Sequence, residues 1–282
     1  MALAEAAGAV IDVGAAAGAY ASIGSSTATF GEIRDRSELV VLWRADPAVT
    51  HPRLLERLRL DPAAAVVVDA QRTATAEQAG EFVELDAADD FEALWALRGR
   101  VDGAPLARLG ERLQSVRHVA FIHGPLDELT GFALASLVRD LARDRHAVTL
   151  RLRGDGNERG AEDVLTWQTG YAAPVSFTRG HPVESPAAAE LLERGDVDAA
   201  LVVAADPLEG LPGLRELPLV VIDARATATA EAARVAFATA ADGIAVPGTA
   251  HRMDGVPVPL RAPQPGERPT AEDVLAAIEE RL

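Results

Sequence analysis

Apolar residues along this chain fall into short runs divided by polar, loop-forming clusters. Leu39–Trp43 is an unbroken apolar run of strand length, closed by the turn signal Arg44-Ala45-Asp46-Pro47. Past His51-Pro52, Leu54, Leu55 and Leu58 recur at helical spacing. Ala65–Val68 predicts the next strand, with Asp69 behind it, and Phe82–Leu85 predicts another. Between these two strands Thr75 and Gln78 stand at capping-box spacing, and a helix is expected over Asp89–Leu97. Val119–Ile122 predicts a strand running into His123-Gly124-Pro125, followed by a helix from about Asp127 to Arg143 and a strand over Val148–Leu152. Further on, a helix ends near Gly170, and a second helix over Ala187–Arg194 stops at Gly195. Ala199–Val203 and Leu219–Ile222 read as strands, as does Ala9–Asp12 near the start. Pro257, Pro259, Pro263, Pro265 and Pro269 mark an irregular tail, which leads to an amphipathic helix over Ala271–Leu282 capped by Thr270. Strands alternating with helices predict an α/β fold of parallel βαβ units.

Part of this pattern is written twice. Val66–Glu77 reads Val-Val-Val-Asp-Ala-Gln-Arg-Thr-Ala-Thr-Ala-Glu, and Val220–Glu231 reads Val-Val-Ile-Asp-Ala-Arg-Ala-Thr-Ala-Thr-Ala-Glu. Ala45-Asp46-Pro47 and Ala205-Asp206-Pro207 precede the two copies. Asp46 maps to Asp206 at an offset of 160 and Asp69 to Asp223 at an offset of 154, so the copies differ in length between these points. Such spacing predicts two Rossmann-like lobes with parallel sheets related by an internal duplication, not a solenoid of fixed period. The lobes are expected over 1–150 and 151–250, with a tail and its helix over 251–282. Each lobe would carry a loop rim at its strand ends, the usual ligand position in α/β sheets.

Composition narrows the chemistry. With 282 residues and 49% hydrophobic content the chain can bury an ample core, but aromatics are only 4%, so Ala, Val and Leu must build it. All 27 basic residues are arginine, which removes Schiff-base, general-base and phosphate-loop lysines. A net charge of −16 argues against nucleic acid and anionic membranes as partners. There is no cysteine, hence no disulfide, thiolate metal ligand or Fe–S ligation by this chain. The first residues lack the basic and apolar regions of a signal peptide, and no apolar stretch is long enough to span a membrane.

Asp69 and Asp223, closing their Val-rich strands, are candidates to accept hydrogen bonds from a ribose hydroxyl or a base amino group. The alternative is that each caps its own loop. Gly154, Gly156 and Gly160 form a loop one residue longer than the dinucleotide fingerprint, and a plain turn accounts for it as well. His51, His118, His123, His146, His181 and His251 show no zinc spacing, so no metal site is expected. No Gly-x-Ser-x-Gly elbow occurs, and the acidic pairs Asp89-Asp90 and Glu279-Glu280 read as solvated helix faces.

Several phrases, taken in order, carry a resemblance. They are Gly8-Ala-Val-Ile-Asp12, Thr29-Phe-Gly-Glu-Ile33, Ala45-Asp-Pro47 with His51-Pro-Arg53, and Val68-Asp69 with Thr73 and Thr75. Trp167-Gln-Thr-Gly-Tyr171, Phe177-Thr-Arg-Gly180, Asp198-Ala-Ala-Leu201 and Gly248-Thr-Ala-His-Arg-Met-Asp-Gly255 complete the set. Together they resemble the B subunit of formylmethanofuran dehydrogenase, in the molybdopterin oxidoreductase superfamily. The resemblance implies a molybdopterin-oxidoreductase-like core lacking the Fe–S portion and the C-terminal cofactor-covering domain. It implies that Asp46, Pro47, His51, Asp69 and Thr73 match one pterin-guanine dinucleotide site. Asn157, Asp206, Asp223 and Thr227 match the other. Arg44 stands where the family has a glycine that lets the backbone approach the pterin, and no cysteine is present to ligate molybdenum or tungsten. These departures make the matched positions vestigial, with no catalytic residue and no cofactor expected. The chain is most similar to the B subunit of the bacterial formyltransferase/hydrolase complex of tetrahydromethanopterin- and methanofuran-linked one-carbon metabolism, which oxidises formaldehyde to formate. That implies a cytoplasmic structural subunit whose partners are the A, C and D subunits, with no nucleic acid and no membrane.

Two other readings stay open on the sequence. One is a molybdopterin-binding formylmethanofuran dehydrogenase subunit acting as an oxidoreductase. The other is a module that binds a nucleotide or a pterin in one lobe.

Overall fold

A computed structural model describes residues 1–14, 23–99, 106–154, 156–172 and 174–282. In chain order the elements are α1 (Ala2–Ala7), β1 (Val10–Ile11), α2 (Phe30–Arg36), β2 (Leu39–Trp43), α3 (Pro47–Thr50), α4 (Leu54–Leu58), β3 (Ala65–Asp69), α5 (Ala74–Gln78) and β4 (Glu81–Glu84). They continue as α6 (Asp90–Arg98), α7 (Ala107–Ser115), β5 (His118–His123), α8 (Glu128–Leu141), β6 (His146–Arg151), α9 (Glu158–Thr169), β7 (Val175–Ser176), β8 (Val183–Glu184), α10 (Ala188–Arg194) and β9 (Ala200–Val203). The last are β10 (Leu219–Asp223), α11 (Ala228–Ala232), β11 (Val235–Ala238), β12 (Gly248–His251), β13 (Pro257–Leu260) and α12 (Ala271–Glu279). By contact the chain forms two units, one of Ala16–Gly154 with Met253–Val256, the other of Met1–Ala15, Asp155–Arg252 and Pro257–Leu282.

The first of these units is built on a parallel sheet of order β4-β3-β2-β5-β6, which is Rossmann-like. The apolar run Leu39–Trp43 becomes its central strand, and all five residues are buried. A parallel sheet needs cover on both faces, and the sequence supplies it. Leu39, Val41, Trp43, Val66, Val68 and Val83 pack beneath Leu94 and Leu97 of α6, Leu109 and Leu113 of α7, and Leu134 and Leu137 of α8. Val40, Leu42, Val67 and Ile122 pack against Ile33 of α2, Leu54 and Leu58 of α4, and Ala76 of α5. Capping fixes where these helices begin. Thr29 and Glu32 form a capping box on α2, and Asp127 accepts from the Thr130 amide at 3.0 Å to start α8.

In the other unit β9, β10 and β11 form a parallel sheet with β10 in the middle. A small antiparallel sheet runs β1-β7-β8, and β12 and β13 form a hairpin. Residues 1–15, expected in the first lobe, group with the second half because β1 pairs with β7 and α1 packs on α12. The tail is not irregular throughout, since Pro257 and Pro259 lie inside β13. A two-stranded ribbon bonds only alternate residues, so two prolines spaced by two fit the unbonded positions. Thr270 caps α12 as expected, in a capping box with Asp273. Among the described residues no helix is long and apolar enough to cross a membrane.

Candidate functional site

Ligands of α/β sheets sit outside the carboxyl ends of the strands, at the point where strand order reverses. In the five-stranded sheet that point lies between β2 and β5. Arg44 follows β2 with φ +49°, a left-handed conformation that favours glycine. Its amide donates to Val68 O at 3.0 Å. Its guanidinium meets Asp90 of α6 through two bonds, Nε to Oδ2 at 2.9 Å and Nη2 to Oδ1 at 2.7 Å, and reaches Asp69 Oδ1 at 3.5 Å. The side chains of Arg44, Asp90 and Asp69 are 12%, 5% and 19% exposed. Burial works against the Arg44 charge, but Asp90 and Asp69 outweigh it, and the guanidinium pKa is raised. Asp90, read from the sequence as part of a solvated face, is therefore a buried ion-pair partner.

Across the switch point Gly124 follows β5, and its amide donates to Trp43 O at 3.2 Å. A Cβ at Gly124 would collide with the Arg44 carbonyl oxygen, so the two loops are in backbone contact. His123, just before it, is buried, and Nδ1 donates to Gly124 O at 2.8 Å. Burial holds its pKa down to about 4 against the opposing Gly124 bond, and Arg151 and Arg153 lower it further. His123 is thus a neutral structural histidine.

The remaining predicted positions of this unit lock the rim. Asp46 Oδ1 accepts from the Thr75 amide at 2.9 Å and from the Thr75 hydroxyl, and Thr75 Oγ1 accepts from the Ala48 amide at 3.0 Å. Pro47 opens α3, where its missing N–H costs nothing. His51 Nε2 donates to Arg153 O at 2.9 Å. Asp69 Oδ1 accepts from the Ala70 amide at 2.8 Å, and so caps its own loop. Thr73 caps α5 through the Ala76 amide, so the expected Thr75 cap is displaced by two residues.

Several of these contacts recur in the second unit. Ala204 has φ +51° and its amide donates to Ile222 O at 2.9 Å. Asp206 Oδ1 accepts from the Thr229 amide at 2.9 Å and from the Thr229 hydroxyl, and Thr229 Oγ1 accepts from the Leu208 amide at 3.2 Å. The Thr229 hydroxyl and amide hold the Asp206 carboxyl below its usual range. Thr227 caps α11 through the Ala230 amide at 3.1 Å. Asp223 is buried; its Oδ1 accepts from the Arg225 amide at 2.8 Å and meets Arg225 Nε at 3.4 Å. Asn157, at φ +63°, ties α9 to β12 by accepting from the His251 amide at 2.6 Å and donating to Thr249 O at 3.2 Å.

Both strand-end aspartates therefore carry an arginine and a loop amide. Sequence reasoning missed Asp90 and the Asp–Thr pairs, although the second threonine recurs with the aspartate in both copies. A depression of about 700 Å³ lined by Glu81, Arg108, Glu111 and Arg112 lies at the start of β4, away from the strand ends. Its Glu81 already pairs with Arg112 at 3.0 Å and Arg108 at 3.5 Å. Among the described residues no three His, Cys, Asp or Glu side chains cluster to hold a metal.

No family model matches the chain. It is 31% identical over 305 aligned positions to the B subunit of the tungsten-containing formylmethanofuran dehydrogenase 2 of Methanocaldococcus jannaschii, spanning 92% of this chain and 70% of that protein. The corresponding B subunit from Methanococcus maripaludis, of the same name, is 29% identical over 86% of this chain and 65% of its own length. The chain thus spans about two thirds of these relatives. A chain of the formyltransferase/hydrolase complex (FhcABCD) from Methylorubrum extorquens, solved with methylofuran, superposes with a TM-score of 0.77 at 23% identity, over 99% of this chain and 85% of that one. That likeness fixes the fold, and the identity and coverage of the archaeal relatives fix the kinship: the chain belongs to the family of the formylmethanofuran dehydrogenase B subunit.

Proposed function

We propose that this chain is a non-catalytic, structural B subunit of a cytoplasmic formyltransferase/hydrolase complex, packed with the A, C and D subunits in methanofuran-linked one-carbon metabolism. The observation that carries the reading is Arg44. Its guanidinium fills the strand-end rim between Asp69 and Asp90, where a ligand would otherwise find open carboxylates. The solved neighbour is a multi-subunit complex, and the fold matches over nearly the whole chain. On this reading the chain is a duplicated molybdopterin-oxidoreductase-like core with lobes dividing near residues 150 and 250. Support for the duplication lies in the matched Asp46–Thr75 and Asp206–Thr229 contacts and the paired positive φ of Arg44 and Ala204.

The curated relatives are tungsten-containing by name. The residues of this chain do not fit that group. No cysteine is available as a soft ligand, and Asp69 and Asp223 are each engaged by an arginine. We assign Asp46, Pro47, His51, Asp69, Thr73, Asn157, Asp206, Asp223 and Thr227 to the scaffold, with no catalytic residue among them.

Purification of the native protein from its own cells tests this. Three companion subunits are expected, with no stoichiometric molybdenum, tungsten or iron, and no guanine nucleotide released by acid. Stoichiometric metal or nucleotide in that sample would replace this reading with the oxidoreductase one.

A further inference from the structure

Helices α6 and α8 carry a column of aromatic rings on the side turned away from the sheet. The Trp95 ring stacks with Phe91 of its own helix and with Phe132 of α8, at centroid distances of 5.6 and 6.5 Å and interplanar angles of 17° and 16°. The Arg98 guanidinium sits over the Trp95 ring, 4.0 Å from its centre. Trp95 and Phe132 are 45% and 37% exposed, and Leu129, three residues before Phe132, is 66% exposed. Aromatics make up only 4% of this chain, yet two of them lie at the surface beside a bare leucine. Exposed aromatic patches of this kind anchor protein interfaces.

The two helices also fix the charges around the column. Contacts advance together along them, Trp95 with Phe132 and then Arg98 with Asp140, so α6 and α8 run side by side in the same direction. Glu92 precedes Trp95 by three residues and Glu128 precedes Phe132 by four; both are exposed and lie on the face of the column, one turn earlier. Past the column stand Arg98, Arg143 and the exposed Arg139, which follows Phe132 by seven residues, two turns along the same face. Asp140 offsets one of these charges, at 2.6 Å from Arg98 and 3.3 Å from Arg143. The patch is therefore acidic at one end, aromatic in the middle and basic at the other.

We propose that this patch pairs with the same patch on a second copy of the chain, about a two-fold axis passing between Trp95 and Phe132. The rotation reverses the helix direction. Glu92 and Glu128 of each copy then meet the guanidinium end of the other, and the two aromatic columns close on one another. A face that is complementary to itself from end to end is met in full by a second copy, which is what selects this occupant. The net charge of −16 does not prevent the pairing. At physiological salt, repulsion between charges further apart than about 8 Å is largely screened, while ion pairs inside the contact persist. The inference goes beyond the reading of the chain as a structural subunit, because it sets the number of copies at two whatever else binds.

Native mass spectrometry of the protein from its own cells counts the copies of this chain, and sedimentation equilibrium reads how tightly they pair. Two copies are expected, separating on dilution. Leu129→Asp, Glu128→Arg and Arg139→Glu, all at exposed positions, should each weaken the pairing tenfold or more. Glu128→Arg mixed in equal amount with Arg139→Glu should regain most of the loss, since each variant then offers the charge the other lacks. A single copy at every concentration overturns the proposal, as does a pair that none of the three substitutions weakens. A mixture no tighter than its components overturns the antiparallel arrangement. Substitutions that strip a different polypeptide from the assembly and leave two copies paired overturn the second copy as occupant. The presence or absence of metal or nucleotide, which decides the reading above, leaves each of these outcomes unchanged.

Discussion

The Arg44 guanidinium lies side by side with the Asp90 carboxylate, joined by two bonds of 2.9 and 2.7 Å in a place almost closed to water. Removing the arginine leaves a buried carboxylate unpaired, a loss of roughly 3 kcal/mol or more. Glycine at a left-handed position returns about 1 kcal/mol of that. Arg44→Gly is therefore expected to lower unfolding stability by about 2 kcal/mol. Adding Asp90→Leu should restore most of it, because the orphaned charge goes with the pair. Urea midpoints of the two variants measure this, and equal stability of Arg44→Gly and wild type would show that the pair carries nothing.

Gly124 holds the other side of the same rim. A methyl there would collide with the Arg44 carbonyl oxygen, a backbone atom held at the end of its strand. Gly124→Ala should cost about 2 kcal/mol or more. Because the shift falls on Arg44 itself, its effect should fail to add to that of Arg44→Gly. Additivity in a double-mutant cycle would mean the two loops move independently.

Thr75 is expected to be the costliest hydroxyl of the first unit. Thr75→Val removes its bond to Asp46 and strands the Ala48 amide, for about 2 kcal/mol, while Thr75→Ser should keep most of the stability. Thr229→Val should be destabilising by the same route through Asp206 and the Leu208 amide. Thermal unfolding of these variants and of Thr229→Ser decides it, and a Val variant no weaker than its Ser counterpart would refute the locking role.

His123 makes stability depend on pH. Its folded pKa, about 4, lies below the unfolded value, so the unfolded chain takes up the proton first. The contribution is complete above the unfolded pKa, near 6.5, and is lost as pH falls toward 4. Over that window wild type should lose roughly 3 kcal/mol more than His123→Gln. Parallel stability–pH curves for the two proteins would contradict a neutral buried imidazole.

The parts of the fold legible in the sequence are those whose burial is written in composition. Leu39–Trp43 is buried on both faces and reads as a strand without ambiguity. β11 is not legible in this way, because Val235-Ala-Phe-Ala238 is half alanine and stays exposed, so no apolar run marks it. β13 is hidden by prolines, which count against a strand until the partner register is known. At the rim, Asp46 and Asp206 stand out through their repetition, and Arg44 as a departure from the family pattern. Asp90 does not, since its partner lies 46 residues earlier and local spacing suggests only a wet helix face.

The turn between β12 and β13 has a bearing on how this chain comes to be folded. Asp254 accepts from the Phe30 amide at 2.8 Å across 224 residues, and Met253 packs on the core beneath β2 and β3. The five-stranded unit therefore lacks its last contacts until 224 residues beyond Phe30 have been made. Contacts of such separation close slowly. The five-stranded sheet should form early and remain incomplete, waiting for four residues that are made only after the whole β9-β10-β11 sheet.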